Sequence, residues 1–487
     1  MSIHAYLPQD RLRAIANGIS LPDRTSGSAL FADISGFTAL TEALREIFGA
    51  RQGAEELTRQ LDLVYSALIA EVERHGGSVI GFAGDSMLCW FDKTGDGDWG
   101  SEGRALRCAF AMQESIREFP DLALKICIAS GDARRFVVGD ETIQRIDVLA
   151  GATVVRTATG EGLANKGDVL LDEGTANALG ETIQIKEWRS DEGSGEKFAV
   201  IGGRESGGMD QIHEPNVFGA EMQSVAPIWH SLKPYVHRAV FERETSGQGQ
   251  FLNEFRPCVA LFIRFTGIDY DSDSAELELD NFIRSVQLTV SRYEGALIDI
   301  TIGDKGSYAY VNFGAVNAHE DDPRRAVKAA LELRNRTDLR LQMSITRGVM
   351  LAGAYGGETR KTFGALGDDV NLAARLMTTA RENEILLSSY VYKAVNEHFT
   401  FEARPAVMVK GKSKPIPLYQ LIGESRRRAV RLQEPSYSLP MVGRQAELKR
   451  IEEKLDLAKE GKCQVIGIVA EAGLGKSRLV AEAIRSA

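Results

Sequence analysis

An internal repeat constrains this chain more than any other feature. The segment ALFADISGFTAL, Ala29 to Leu40, returns in apolar pattern as ALFIRFTGI, Ala260 to Ile268. Further on, SGDARRFVVGDET, Ser130 to Thr142, returns in outline as RGVMLAGAYGGET, Arg347 to Thr359. Gly151 stands as far before Leu170-Leu171 as Gly367 does before Leu386-Leu387, and the order of all three matches is kept. Two copies of one domain, over 25–202 and 256–425, are the simplest account. A chain of 487 residues has room for them and for part of a third domain. We therefore expect an N-terminal segment 1–24, copy 1 over 25–202, a linker 203–255 opening with the glycine-rich GGRESGGMD, copy 2 over 256–425, and a C-terminal segment 426–487.

Within copy 1, Ala29 to Ala32 is an apolar run fit for a buried strand. Phe37, Leu40, Leu44 and Phe48 then recur at helical spacing. Ala54, Leu57, Leu61, Val64 and Leu68 predict a second helix, stopped by Gly76-Gly77. SVIGF and SMLCWF flank Ala83-Gly84-Asp85 and predict a hairpin with Asp85 at its bend. The order β-α-α-β-β followed by a helix and more strands favours an α+β sandwich, with helices packed on one sheet.

Composition limits the functions open to such a fold. Against 58 basic residues stand 68 acidic ones, a net charge of −10 that gives no general attraction to nucleic acid or anionic lipid. No apolar run reaches the ~18 residues needed to span a bilayer, and the N-terminus lacks the apolar core of a signal peptide, so the expected location is cytoplasmic. Cys89, Cys108, Cys127, Cys258 and Cys463 have no CxxC spacing and read as reduced core residues.

Two carboxylates stand out. Asp33 follows the first strand and Asp85 sits at the hairpin bend, so neighbouring strands would bring them together. Mg²⁺ or Mn²⁺ prefers such hard oxygen ligands, with substrate phosphates completing the shell. Ser35, Gly36, Phe37 and Thr38 open the helix beside Asp33, where free N–H groups suit a polyphosphate. Taken singly, Asp33 reads as a helix cap and Asp85 as a turn residue. In copy 2, the TFGALGDDVNLAARLM segment puts Asn371 and Arg375 four residues apart on one helical face, where both can reach one ligand.

FADISGFTALTE, GFAGDSMLCWF and VNLAAR together resemble the class III nucleotidyl cyclases, in the tandem arrangement of the bicarbonate-responsive soluble adenylyl cyclases. The resemblance implies two ferredoxin-like domains pairing about a pseudo-twofold axis within one chain, with ATP cyclised at their interface. It implies that Asp33, Asp85 and the carbonyl of Ile34 bind two metal ions. Asn371 would orient the ribose, and Arg375 would stabilise the reacting phosphate. Lys125 would reach the terminal phosphates.

The repeat adds its own test of one composite site. Its gap-free alignment puts Val155 opposite Asn371, Thr159 opposite Arg375 and Arg264 opposite Asp33, so each copy lacks what the other supplies. Base selection departs from the adenylyl pattern. Gly364, followed by Ala365, stands where an Asp or Thr reads the base, and the Lys position falls at Asp299 or Ile300, so GTP stays open beside ATP. A catalytically silent nucleotide sensor is a further alternative, whereas FAGDS argues against a diguanylate cyclase. Gly81 and Thr159 replace the two cations of the bicarbonate pocket, so no bicarbonate stimulation is expected. Arg156 would restore a cation there if its helix shifted.

At the C-terminus, AEAGLGKS, Ala470 to Ser477, follows the apolar VIGIV and precedes a helical pattern. This is the strand, glycine loop and helix context of a P-loop. Gly473 and Gly475 would shape the loop, Lys476 would meet the β- and γ-phosphates, and Ser477 would meet Mg²⁺. MVGRQAELKRIEEKL before it resembles the lead-in of AAA/STAND-type ATPases. The segment is expected to be the N-terminal part of an α/β P-loop NTPase domain.

Overall fold

The structure, a computed structural model, describes residues 3–93, 100–204, 229–246, 253–303, 306–409, 415–425, 443–470 and 475–486. The chain divides into two compact units, 1–423 and 424–487.

The first unit contains two eight-stranded sheets of identical topology. In the first, β1 (Arg24–Ser35) lies between β3 (Ser86–Asp92) and β4 (Ala123–Val138), and β2 (Ser78–Ala83) closes the edge beyond β3. β5 (Ile146–Ala150) folds back on β4. The sheet continues through β6 (Val169–Asp172), β8 (Lys197–Arg204) and β7 (Ile183–Ser190). The second sheet repeats this order with β9 (Glu254–Thr266), β10 (Ala296–Gly303), β11 (Gly306–Phe313), β12 (Arg340–Gly356), β13 (Lys361–Leu366), β14 (Ile385–Ser388), β15 (Phe399–Val407) and β16 (Ile416–Glu424). Each copy opens β-α-β-β-α-β, the ferredoxin-like order.

Strand register turns the repeat into residue equivalences. Asp33 pairs with Lys125 while Ile126 pairs with Val169, and Arg264 pairs with Gln342 while Met343 pairs with Ile385. Arg264 therefore occupies the place of Asp33. Both edge strands carry a bulge, between Val79 and Gly81 and between Leu297 and Asp299. Of the two expected positions, Asp299 rather than Ile300 thus stands opposite Gly81.

The helix Phe37–Arg74 covers one face of the first sheet and bends at Gly49, whose backbone is non-helical. Leu44, Leu57, Leu61, Val64 and Leu68 are buried beneath it as their spacing predicts, whereas Phe48 is exposed. Its start requires glycine. Gly36 has φ 105°, and an added Cβ would collide with the carbonyl oxygen of Asp121.

The copies complete each other. Phe136, Val138, Val148 and Ala150 of the β4–β5 ribbon are buried in the core of copy 2, against the helix Ala275–Arg292. Leu351, Tyr355 and Leu366 of the β12–β13 ribbon are buried in the core of copy 1. Fully burying such side chains is worth roughly 1.5–3 kcal/mol each.

The N-terminal segment joins this packing, with Ile3, Leu7 and Leu12 in a third core shared with copy 2. Its helix Gln9–Ala16 reaches copy 1 through ion pairs of Arg11 with Asp147 and of Asp10 with Arg135. In the linker, the helix Arg238–Thr245 is tied to β13 by Glu244 and Lys361.

The second unit contains the helices Gln445–Lys459 and Lys476–Ser486. The strand expected at VIGIV, Val465 to Val469, is not paired into a sheet. A strand needs a neighbour, and the described residues of this unit supply none. Cys463 is exposed rather than in a core, and the other four cysteines are buried thiols.

Candidate active site between the two copies

Asp33 and Asp85 meet because β1 and β3 are adjacent and antiparallel. Asp33 faces Ser86 across the ladder, and the Ser86 hydroxyl donates to Asp33 Oδ1 at 2.7 Å. The Ile34 N–H donates to the Asp85 carbonyl at 3.2 Å, which ties the hairpin bend to the end of β1. Beneath them lies Tyr65, fully buried, whose hydroxyl donates to the Gly84 carbonyl at 3.4 Å. Burial raises its pKa well above the phenol range, and the charges of Asp85 and Asp33 push the same way. The hydroxyl thus stays protonated as a donor below both carboxylates.

This donor set fits a hard divalent cation. One carboxylate on β1 and one at the adjacent β2–β3 bend flank the Ile34 position, and no cluster of three or more His, Cys, Asp or Glu residues forms a rival site among the described residues. Ser35 ends β1, and Phe37 and Thr38 begin the following helix, whose N-terminus at Gly36 has no side-chain cap. Uncapped N–H groups there are available to phosphate oxygens. Lys125 is directly across the ladder from Asp33, on the same face, but its ammonium lies 3.5 Å from Glu161 Oε1. It must leave that partner to reach a phosphate.

Copy 2 supplies the opposite wall. The helix Asp368–Thr379 is pinned to β12 by two buried hydroxyls: Thr346 donates to the Asp369 carbonyl and Ser344 to the Ala373 carbonyl, each at 2.6 Å. Asn371 is presented to copy 1, where a Cβ built on Gly84 would stand 4.0 Å from Asn371 Oδ1. Arg375 follows one turn later. The structure thus brings the Asp33 and Asp85 hairpin and the Asn371 helix to one cleft. In the other cleft, Val155 and Thr159 occupy the equivalent helix Ala152–Leu163, and Ala158 meets Gly303.

The positions expected to read the base do not form a polar pocket. Gly364 has no room for a side chain, because an added Cβ would come within 2.9 Å of Ile298 Cγ2. Ala365 is core, with its carbonyl accepting from the Tyr310 hydroxyl at 3.1 Å. Asp299 shares a cavity between the sheets with Gly81 and Arg360. Burial raises its pKa to about 7, while hydrogen bonds from Thr301 and the Ile300 N–H and the charge of Arg360 oppose the shift.

At the C-terminus, Gly475 adopts φ 78° before the helix that begins with Lys476. Lys476 Nζ donates to the Ala470 carbonyl at 2.7 Å. Ser477 follows in that helix, and Gly473 lies outside the described residues. The most notable residue that sequence reasoning missed is Arg360, whose partners are backbone carbonyls and leave no signature in the side chains around it.

Comparison with known proteins assigns part of this architecture. Residues 311–423 match the adenylate and guanylate cyclase catalytic domain. That span runs from β11 to β16 and includes Asn371 and Arg375. Adenylate cyclase type 10 of Oryctolagus cuniculus is 24% identical over 532 residues, covering 99% of this chain and 32% of the relative. Adenylate cyclase type 10 of Homo sapiens is 24% identical over 496 residues, covering 92% of this chain and 30% of the relative. The chain therefore spans about a third of the length of these curated relatives. A Class III adenylyl cyclase-like ATP-binding protein from Pseudomonas aeruginosa has a crystal structure that matches with a TM-score of 0.50 at 15% identity. It covers 79% of this chain and 93% of that chain. This likeness is one of fold, over a share greater than either copy alone. No helix among the described residues is long and apolar enough to cross a membrane.

Proposed function

We propose that the chain is a class III adenylate cyclase, which converts ATP into 3',5'-cyclic AMP and pyrophosphate at one site between its two copies. The observation that carries the reading is the approach of Asn371, on copy 2, to the Gly84-Asp85 bend of copy 1. Asp33, Asp85 and the Ile34 carbonyl would hold Mg²⁺ or Mn²⁺ as two ions. When bound, these ions supply Lewis-acid activation of the ribose 3'-hydroxyl and charge neutralisation at the leaving pyrophosphate.

The protein's own residues do the positioning. The uncapped helix start at Gly36 receives phosphate oxygens, and Lys125 exchanges Glu161 for the terminal phosphates. Asn371 orients the ribose. Arg375 meets charge developing on the α-phosphate, for which a planar, permanently charged donor fork is suited. Arg264, in the place of Asp33, repels cations from the second cleft, so the chain has one site. Residues 426–487 would hold a linker and the start of a P-loop ATPase region, with Lys476 and Ser477 as its phosphate and Mg²⁺ contacts.

A metal-dependent assay with ATP and with GTP tests the reading. Arg375→Ala should lower kcat by roughly 10²–10³-fold, as loss of a transition-state donor does, and Asp33→Ala should leave only background. Gly364 and Asp299 favour a second reading, a silent nucleotide sensor, because the first has no side chain and the second stands where adenylyl cyclases place a lysine. Nucleotide binding without cyclic product from either nucleotide would establish that reading and overturn the first.

A further inference from the structure

Arg360 lies in the turn between β12 and β13 of copy 2, yet most of its hydrogen bonds leave that copy. Nε donates to the Val79 carbonyl at 2.9 Å and Nη2 to the Ile80 carbonyl at 2.9 Å. Nη1 donates to the Tyr6 carbonyl at 3.2 Å and to the Lys361 carbonyl at 2.6 Å. The residue is only 5% exposed, and its guanidinium lies 5.2 Å from the centroid of the Phe82 ring. Among the described residues, no carboxylate is hydrogen-bonded to it. A cation buried in this way is held by carbonyl dipoles and an aromatic face.

The carbonyls are available because β2 bulges between Val79 and Gly81. A bulge breaks the ladder, and its buried backbone groups then need other partners. A planar fork matches two successive carbonyls as a lysine cannot. Burial lowers the Arg360 pKa to about 10, against the pull of Asp147 and Asp299, so the charge persists at neutral pH.

From this bulge the chain runs directly into the metal-binding hairpin. Phe82 packs edge-on against Tyr65 at 5.4 Å and meets Tyr355 of copy 2 at 6.1 Å, and Tyr65 holds the Gly84 carbonyl. The arrangement is absent from the other half. Thr362 pairs with Tyr355 as Ile146 pairs with Val138, so Gln144 stands in the place of Arg360. Gln144 reaches the linker instead, donating to the Tyr235 carbonyl.

We infer that Arg360 is a positioning residue, by which copy 2 holds the β2–β3 hairpin of copy 1 so that Asp85 stands in metal-binding register with Asp33. The inference rests on the reading of Asp33 and Asp85 as the metal site. Its effect is that cation binding in copy 1 depends on the docking of copy 2.

The test is Mn²⁺ titration of the full chain, followed by electron paramagnetic resonance with a non-cyclisable ATP analogue present. The proteins are the parent, Arg360→Lys, Arg360→Met and Asp33→Ala. Gln287→Leu is the control for a merely structural role. Gln287 is a buried cross-copy contact that receives the Asp140 N–H and donates to the Gln144 carbonyl, at the turn of the other exchanged ribbon rather than at the β2 bulge. Both Arg360 variants should raise the Mn²⁺ dissociation constant roughly 10-fold, as loss of an outer-shell partner does, while Gln287→Leu stays within about twofold of the parent.

Unchanged Mn²⁺ affinity in a folded Arg360 variant overturns the inference. So does an equal shift in Gln287→Leu, or loss of the whole fold in both Arg360 variants, since neither outcome is specific to the hairpin. If Mn²⁺ binding survives Asp33→Ala, or is absent from the parent, the metal-site reading falls and the inference falls with it.

Discussion

Asp299 is a residue whose charge state depends on the fold. Its carboxyl pKa moves from 3.8 to about 7, first through burial. Between those values the unfolded chain releases this proton and the native chain keeps it. Stability therefore falls as pH rises through that window and stays at the lower level above it. Asp299→Asn removes the dependence. Urea melts at a series of pH values should show the variant gaining on the parent across the window, by an amount of the order of 4 kcal/mol for a shift of this size. Gly36 makes a second residue-scale prediction. Gly36→Ala forces a Cβ into a left-handed conformation and onto the Asp121 carbonyl. It should cost at least ~1 kcal/mol of unfolding free energy, read from denaturant melts, and lower nucleotide affinity together, because the helix N-terminus starts there.

The helix Asp368–Thr379 is held at its first turns by hydroxyls from β12, and the elements of the site depend on such joints. Thr346→Val keeps the shape but removes the hydrogen bond to the Asp369 carbonyl. It should cost about 1 kcal/mol and reduce turnover, measured by paired melting and rate assays. Much at this scale was legible in the sequence. The Asp33 corner shows as a continuous apolar run that gives way to helical spacing, and the hairpin shows as two apolar runs around Ala83-Gly84-Asp85. Register was less legible. A bulge shifts pairing by one residue without changing composition, so only the ladder distinguishes Asp299 from Ile300. The unpaired VIGIV segment shows the converse, since an apolar run has strand character that only a neighbouring strand can satisfy. Arg360 was illegible because its partners are main-chain oxygens at a bulge, which any side chains could have surrounded.

At the scale of the molecule, the two clefts are unequal. In the second, Arg156 donates to Asp172 Oδ2 at 3.0 Å and to the Ser130 carbonyl at 3.0 Å. Thr159 donates to the Val155 carbonyl of its own helix. With Gly81 opposite and Arg156 engaged with Asp172, neither of the two expected pocket positions offers a cation to a small anion. Bicarbonate added at fixed pH should leave the cyclase rate unchanged, and a severalfold rise would contradict this. The duplication was visible in the sequence as a repeated order of motifs, but the exchange of ribbons between copies was not, because Phe136 and Tyr355 look like ordinary core residues of their own halves. That exchange governs how the 1–423 unit should come apart. Neither sibling owns a finished interior, so neither has a melting point to call its own, and scanning calorimetry of this region should record one shared heat-absorption peak rather than two.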